Sequence, residues 1–343
     1  MQHRIVKPSR LLDKNGELIQ KGYAFQPILK YNRENVAKKS RLKEWDYYFI
    51  YNSDYGVALT VANTINFLII SATFIDFQKV TERTRSVIRI ISKKNFSMPK
   101  SSTISNIVYQ DKTISVSFRH IDQARHLKLR MKNFDNGSDF DASFVLMEEP
   151  EASMVIATPF DEDRKAFYYN RKIIGIRASG TVIYKSKLYS FSPINSYGLL
   201  DWGRGVWPYK TTWYWGAAQG TIWGNVFGFT IGYGFGNTSA ATENMLFFNG
   251  KATKLNDIKF HIPKNEKNKY DYMKSWKVTS SDHRLDLTFT PILDRNIYLS
   301  ALVLSTHQHQ VFGKYTGTAI LEDGTIIYLN DFLGFAERVV NRW

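Results

Sequence analysis

Alternation of apolar and polar residues in short runs is the feature that most limits what this chain can fold into. Residues 114–119, 127–132 and 285–289 each place apolar side chains at every second position. Successive side chains of a β-strand point to opposite faces, so each run predicts a strand with one buried and one solvated face. Asn136-Gly137 and Asp323-Gly324 lie between such runs and are typical of tight hairpin turns. The sequence therefore predicts a mainly β, antiparallel protein.

The C-terminal segment has a different period. Residues 332–343 carry apolar side chains at three- and four-residue spacing, and Asn330 or Asp331 stands where a helix cap is expected. The apolar positions are Phe332, Phe335, Ala336, Val339, Val340 and Trp343. We therefore predict a short C-terminal helix that closes or packs against a barrel.

The two halves of the chain resemble each other in order. Four segments recur at offsets that drift from 164 to 171, close to half of the 343 residues. The pairs are 16–19 with 180–183, 23–27 with 189–193, Trp45 and Thr60 with Trp215 and Thr230, and 114–118 with 285–289. Ordered repetition indicates a duplicated unit. We predict two β-barrel halves in tandem, residues 1–172 and 173–343, of a type that can enclose one small ligand.

Composition excludes several classes of function. The chain has no cysteine, which rules out disulfides, thiolate metal sites and a cysteine nucleophile. No apolar signal segment follows Met1, and the most apolar run, residues 67–75, is shorter than the roughly 20 residues of a spanning helix. We therefore expect a cytoplasmic protein.

The net charge of +15 is spread over several basic patches. This distribution is typical of a solvated surface and also suits peripheral contact with an anionic membrane surface. The sequence has no recognisable nucleic-acid motif and no glycine-rich phosphate loop with a lysine. We therefore predict no nucleic-acid partner and no cofactor.

Residues 201–223 stand out because they hold five of the eight tryptophans, and nine of the 21 glycines lie between Gly203 and Gly236. Glycine lets a backbone or a ligand approach closely, and tryptophan supplies large rigid walls. The start, residues 201–205, is typical of a tight turn, whereas Trp213 and Trp215 share one face if they lie in a strand. Two interpretations follow: the wall of a pocket, or a solid core with an Asp201–Arg204 ion pair.

The run Asp-Trp-Gly-Arg-Gly-Val-Trp-Pro-Tyr at 201–209, followed by Trp213-x-Trp215-Gly216, resembles the family called domain of unknown function 2804. Further blocks fit this family at 242–244, 287–291, 294–295, 309–317 and 334–337, and more loosely at 42–49 and 167–172. The resemblance implies a fold similar to the tandem lipocalin-like architecture of carotenoid 1,2-hydratases, tocopherol cyclase-like proteins and certain Diels–Alderases. That kinship implies apolar ligands, often isoprenoid or polyketide, and chemistry without a cofactor.

On these grounds we predict a site for a small apolar molecule at the tryptophan-rich segment. The candidate ligand contacts are Trp202, Arg204, Trp207, Tyr209, Trp213, Trp215, Asn244, Arg295 and Tyr315. Asp201 or Glu243 is the candidate acid, because a carboxyl group desolvated among indoles keeps its proton near neutral pH. Aromatic faces would stabilise the resulting carbocation. In the alternative interpretation, Asp201 is ionised beside Arg204 and Glu243 caps a turn.

His309 is a candidate polar contact or proton carrier. Together with His307 it would offer only two ligands on one strand face, fewer than zinc takes, so we predict no metal site. Four functions fit the sequence: a lipid or isoprenoid binder, a cofactor-independent hydratase, cyclase or isomerase, a carbohydrate-binding module, and a structural protein with a solid tryptophan core. The barrel pattern and the aromatic segment favour the first.

Overall fold

The computed structural model describes residues 2–64, 66–91, 96–104, 106–301 and 304–342, which fold almost entirely as antiparallel β-sheet. Two 3₁₀ turns, Arg33–Asn35 and Lys39–Arg41, precede the fourth strand. No helix in this part of the chain is long and apolar enough to cross a membrane. The strands are β1 (Ser9–Arg10), β2 (Gly22–Ala24), β3 (Leu29–Lys30), β4 (Leu42–Tyr51), β5 (Tyr55–Thr64), β6 (Phe67–Asp76), β7 (Thr81–Ile90), β8 (Asn106–Gln110), β9 (Ile114–Ile121), β10 (Ala124–Asp135), β11 (Ser138–Met147), β12 (Met154–Phe160), β13 (Asp163–Tyr184), β14 (Lys187–Phe191), β15 (Tyr197–Val206), β16 (Lys210–Ile222), β17 (Asn225–Tyr233), β18 (Met245–Phe248), β19 (Lys251–Lys254), β20 (Ile258–His261), β21 (Trp276–Ser280), β22 (Leu285–Ala301), β23 (Leu304–Ile320) and β24 (Ile326–Arg342).

Two curled sheets follow each other along the chain, which confirms the predicted tandem β architecture. The first runs β7-β6-β5-β4-β15-β13-β11-β10-β9-β8, and the second runs β19-β18-β17-β16-β24-β23-β22-β21-β20. Ion pairs from β7 to the far side of the first sheet, Arg83–Asp135 at 3.2 Å and Arg89–Asp111 at 2.6 Å, bring its two edges together. The first sheet is therefore strongly curled, and the two sheets form two half-barrels in tandem.

The two sheets share strand order and direction, with β4 and β16 as equivalent strands and β15 and β24 as the last strands that pair with them, and β8 is the additional edge strand of the first sheet. Trp45 in β4 and Trp215 in β16 thus occupy equivalent positions, as the sequence repeat predicts. The run at 114–118 does not match the run at 285–289, because β9 corresponds by sheet order and direction to β20, whereas residues 285–289 begin β22. Residue 172, the expected boundary, lies inside β13, and the chain passes to the second sheet between β15 and β16.

The predicted C-terminal helix is wrong: residues 326–342 form β24, which pairs with both β16 and β23. The register with β23 shifts at Asn330 and Asp331, the residues expected to cap a helix, and this bulge interrupts the alternation. Beyond it, Phe335 packs in the core of the first half and Ala336 in that of the second, so adjacent positions are both apolar. Trp343 lies outside the described residues.

The two half-barrels meet at what we call the junction, where β4 and β13 approach β16, β17 and β24. Phe49 of β4 contacts Phe312 and Phe335, with ring centroids 5.3 and 5.9 Å apart. The hydroxyl of Tyr51 donates to the carbonyl of Leu333 at 3.1 Å. Apolar contacts and hydrogen bonds therefore extend the core of the first half across the junction, while the second half has a further core of its own.

The expected turn at 201–205 is also wrong, because these residues lie in β15, which is buried along its whole length. Gly203 pairs with Trp45 across the β15–β4 ladder, and a Cβ at Gly203 would overlap the Trp45 ring. Glycine therefore serves here to let an indole lie flat against the backbone rather than to make a bend.

This packing makes Gly203→Ala destabilising. We expect the free energy of unfolding to fall by about 2 to 3 kcal/mol, since an overpacked core position forces neighbouring groups to move. The control is Gly137→Ala in a hairpin turn, where an added methyl group meets nothing and only the positive φ of 90° opposes it, at roughly 1 kcal/mol. Chemical denaturation of both variants measures the difference. Wild-type stability of the Gly203 variant would contradict this packing.

Candidate functional site

The junction contains a fully buried lysine. Lys172 Nζ lies 3.0 Å from Asp201 Oδ1 and 3.1 Å from Glu243 Oε1. It also donates to Asn170 Oδ1 at 3.0 Å and to the hydroxyl oxygen of Tyr168 at 3.2 Å. A buried ammonium needs such partners, because the loss of hydration costs several kcal/mol otherwise. We call these five residues the Lys172 cluster.

Strand geometry explains how the Lys172 cluster forms. Tyr168, Asn170 and Lys172 alternate along β13 and therefore share one face. Lys172 pairs directly with Asp201 in the β13–β15 ladder. Glu243 comes from the segment between β17 and β18 and brings a carboxyl group of the second half to the first.

Aromatic rings enclose this polar group. Lys172 Nζ lies 4.6 Å from the ring centroid of Trp215 and 5.6 Å from that of Phe235, within cation–π range. The Trp207 ring lies 5.1 Å from Tyr168, 5.4 Å from Trp213 and 6.2 Å from Trp45. We call the set the aromatic cluster: Trp45, Tyr168, Trp207, Trp213, Trp215 and Phe235.

The two carboxyl groups of the Lys172 cluster differ in their partners. Asp201 accepts hydrogen bonds from Lys172, from Asn170 at 2.6 Å and from the indole of Trp45 at 3.1 Å. Glu243 accepts from Tyr168 at 2.7 Å and from Lys172 on Oε1 only, and its buried Oε2 has no partner among the described residues.

The pKa of Glu243 lies above its ordinary value. Burial raises it, Lys172 opposes this, and the charge of Asp201 adds to it. Burial lowers the pKa of Lys172, but Asp201 and Glu243 more than reverse this, so the ammonium form is kept. Glu243 therefore keeps its proton to a higher pH than a solvated glutamate does.

A third buried acid, Glu337 of β24, lies beside the aromatic cluster. Its Oε1 accepts from the Trp213 indole at 3.0 Å, and its Oε2 accepts from the amides of Gln308 at 3.1 Å and Gln310 at 3.3 Å. Burial raises the pKa of Glu337 to about 7 against these hydrogen bonds. The junction therefore holds a carboxyl group whose charge changes near neutral pH.

The structure brings five of the predicted site residues together at the junction: Asp201, Glu243, Trp207, Trp213 and Trp215. The expected Asp201–Arg204 ion pair is wrong. Arg204 instead pairs with Asp46 at 3.0 Å, because positions three apart in a strand project to opposite faces. Glu243 does not cap a turn, since its carboxyl group contacts Tyr168 and Lys172.

Trp202 lies on the other face of β15, where it packs against Tyr31 and Tyr169 in the first half. Tyr315 donates to the carbonyl of Phe335 at 2.7 Å, deep in the second core. Asn244 accepts from the backbone N–H of Gly232 at 2.7 Å and fixes the chain before β18. None of these side chains contacts the Lys172 cluster in the described part of the chain.

The remaining predicted residues also lie apart. Arg295 is buried and donates to Thr73 at 2.8 Å across the two halves. His309 Nδ1 lies 2.7 Å from Asp294, and its Nε2 lies 2.9 Å from Nε2 of His307. Tyr209 is 43% exposed. Within the described residues, no group of three or more His, Asp or Glu side chains could hold a metal ion.

Sequence reasoning missed Lys172, Tyr168, Trp45 and Glu337 as site residues. All four stand inside blocks that resemble the family, at 42–49, 167–172 and 334–337. A further signal was the spacing Tyr168-x-Asn170-x-Lys172, which places three polar groups on one face of a strand. The prediction rested on the tryptophan-rich segment, which forms only one wall of the site. The other residues of the site come from both halves of the chain.

The fold and the junction define a class, a lipocalin-like protein made of two curled β half-barrels in tandem. The chain belongs to the family described as domain of unknown function (DUF2804), whose model matches residues 2–343. It is similar to the solved structure of a protein proposed to be AttH from Nitrosomonas europaea, at 12% identity and a TM-score of 0.57, covering 92% of this chain and 98% of that one.

A second similar structure is kievitone hydratase from Nectria haematococca, at 10% identity and a TM-score of 0.47, covering 88% of each chain. Comparison with curated proteins found no match. At such identities these similarities describe the fold alone.

Glu337 makes stability depend on pH in a defined direction. Its pKa is about 7 in the folded chain and 4.5 ordinarily, so the folded state binds more protons between these values and stability falls as pH rises through them. We expect Glu337→Gln to remove this fall, which amounts to about 3 kcal/mol by pH 8. Urea unfolding from pH 4.5 to 8 measures it, with the exposed Glu322→Gln as control. Parallel pH curves for wild type and Glu337→Gln would show that Glu337 does not titrate in this range.

Proposed function

We propose that the chain binds a small apolar molecule, lipid- or isoprenoid-like, at the junction. The observation that carries this proposal is the aromatic cluster, which surrounds a buried polar group contributed by both halves. Binding sites for small molecules are typically walled by apolar and aromatic side chains, with a few polar groups that orient the ligand. The carbohydrate alternative has less support, because Trp207 and Trp215 are 5% and 4% exposed and offer no open stacking face.

Two unpartnered polar atoms favour a ligand that also carries a hydroxyl or carbonyl group. Trp207 Nε1 and Glu243 Oε2 are buried, and neither has a hydrogen-bond partner among the described residues. Buried polar atoms in native proteins are nearly always hydrogen-bonded to protein, water or ligand. A mostly apolar molecule with one oxygen function would accept from the indole N–H or from the protonated Glu243.

Mass spectrometry of an organic extract tests this proposal on protein purified from its native cells. We expect a stoichiometric apolar compound in wild type. Trp213→Leu should lower its recovery roughly tenfold, since one wall of the aromatic cluster is lost. Trp223→Leu, which alters an exposed indole in a hairpin, is the matched control. An empty extract, together with no affinity of delipidated protein for a panel of lipids and isoprenoids, would refute the proposal.

The second candidate is a cofactor-independent hydratase, cyclase or isomerase, and the buried Glu243, whose pKa is raised, favours it. Glu243 would transfer its proton to an alkene carbon, leaving a carboxylate and a carbocation that the aromatic faces stabilise. The cation would then take up water and return a proton to Glu243, or lose a different proton to Glu243 and become an isomerised alkene. Lys172 and the hydroxyl of Tyr168 would hold the new carboxylate in place.

Once the ligand is known, its turnover distinguishes binding from catalysis. We expect Glu243→Gln to reduce the rate by roughly a hundredfold or more, because the amide keeps the shape but has no acidic proton. Glu322→Gln should turn over ligand as wild type does. Equal turnover by Glu243→Gln and wild type would remove Glu243 as the acid, and no turnover by wild type would leave binding as the function.

A further inference from the structure

A separate cleft opens in the first half, on the face of β15 opposite the Lys172 cluster. Its volume is about 310 Å³, and Trp202 lines it together with Tyr169 of β13. The other lining residues are Pro27, Ile28, Leu29, Lys30, Tyr31, Lys100, Ser101 and Ser102. This volume is at the small end of the range for ligand pockets, so it suits a compact molecule.

The buried wall of this cleft is aromatic and contains one uncommitted donor. Trp202 is 1% exposed, and its ring meets those of Tyr31 and Tyr169 edge-on at centroid distances of 6.4 and 5.5 Å. The hydroxyl of Tyr31 donates to Glu44, and that of Tyr169 donates to the carbonyl of Leu29. The indole Nε1 of Trp202 is buried without a hydrogen-bond partner in the described structure.

The charged residues that line the cleft are both basic. Lys30 and Lys100 are its charged lining residues, and no acidic side chain lines it. Lys100 also forms an ion pair with Glu34 at 2.8 Å, and these two residues line an adjoining cleft together with Arg33. Behind the aromatic wall, the buried Arg204 guanidinium stacks on the Trp202 ring at 4.0 Å.

Guanidinium groups also anchor the segment that forms one side of the cleft. Arg204 donates to the carbonyl of Pro99 at 2.9 Å, and Arg125 donates to that of Ser102 at 2.8 Å. Both guanidinium groups are themselves ion-paired, Arg204 with Asp46 and Arg125 with Glu149. The positive charge that favours an anion in the cleft therefore comes from Lys30 and Lys100.

We propose that this cleft is a second binding site, for a small aromatic carboxylate. The planar body matches three aromatic side chains, and the carboxylate supplies the acceptor for the Trp202 N–H and the negative charge for the surrounding cations. The site is independent of the junction, because Trp202 and Asp201 project from opposite faces of β15. A negative result for this cleft would therefore leave the proposed function at the junction unaffected, and the reverse also holds.

The indole region of a ¹H–¹⁵N NMR spectrum tests the site directly, with benzoate as probe and benzamide as its uncharged counterpart. Trp202→Phe keeps an aromatic ring, removes the N–H and identifies the Trp202 signal. We expect benzoate to shift this signal downfield while the Trp223 signal stays in place. Benzamide should bind at least roughly tenfold more weakly, since it lacks the charge.

Variants extend the test to affinity. Trp202→Phe should weaken benzoate binding roughly tenfold, the effect of one hydrogen bond to a charged acceptor. Lys100→Gln alters an exposed side chain, leaves folding intact, and should weaken binding and reduce its salt dependence. Trp223→Phe and the junction variant Glu243→Gln should bind as wild type does.

Two results would overturn the proposal. One is an unmoved Trp202 signal with benzoate, phenylacetate and cinnamate, a series that spans the size of the cleft. The other is wild-type benzoate affinity in both Trp202→Phe and Lys100→Gln. Equal binding of benzamide and benzoate would refute the assigned charge.

Discussion

The ion pairs of Lys172 are the interaction on which the rest of the structure depends. A lysine inside a protein is tolerated only when carboxylates replace its hydration, and here one comes from each side of the junction. Asp201 belongs to the first sheet, and Glu243 belongs to the second half of the chain. The ammonium group therefore fixes both the pairing of β13 with β15 and the approach of the two half-barrels.

The arrangement has a direct electrostatic result. Burial and the charge of Asp201 raise the pKa of Glu243 and of Glu337. Surrounding indoles exclude water and satisfy individual oxygens, as the Trp45 and Trp213 N–H groups do. Buried acid groups of raised pKa thus lie at the junction, where the two half-barrels meet.

Local pattern predicted the alternating strands but not how the strands associate. The alternation at 114–119 and 285–289 and the turns at Asn136 and Asp323 are properties of a few adjacent residues, and all were predicted correctly as strands and hairpins. The C-terminal strand was not, because a bulge and burial on both faces give a strand the spacing of a helix. Lys172 was not predicted as a site residue, because the register of the strands decides which residues lie beside it. The register cannot be read from residues that are adjacent in sequence.

The burial of β15 on both faces has a further consequence. Its alternating side chains serve two chambers at once, Asp201 toward the junction and Trp202 and Arg204 toward the first half. A register shift of one residue against β13 and β4 would turn Asp201 toward the first half and Trp202 toward the junction. It would thus place an acid among the tyrosines of the first half. Insertions or deletions within this strand therefore keep each side chain on its own face only in steps of two residues. Each such change alters the residues on both faces at once.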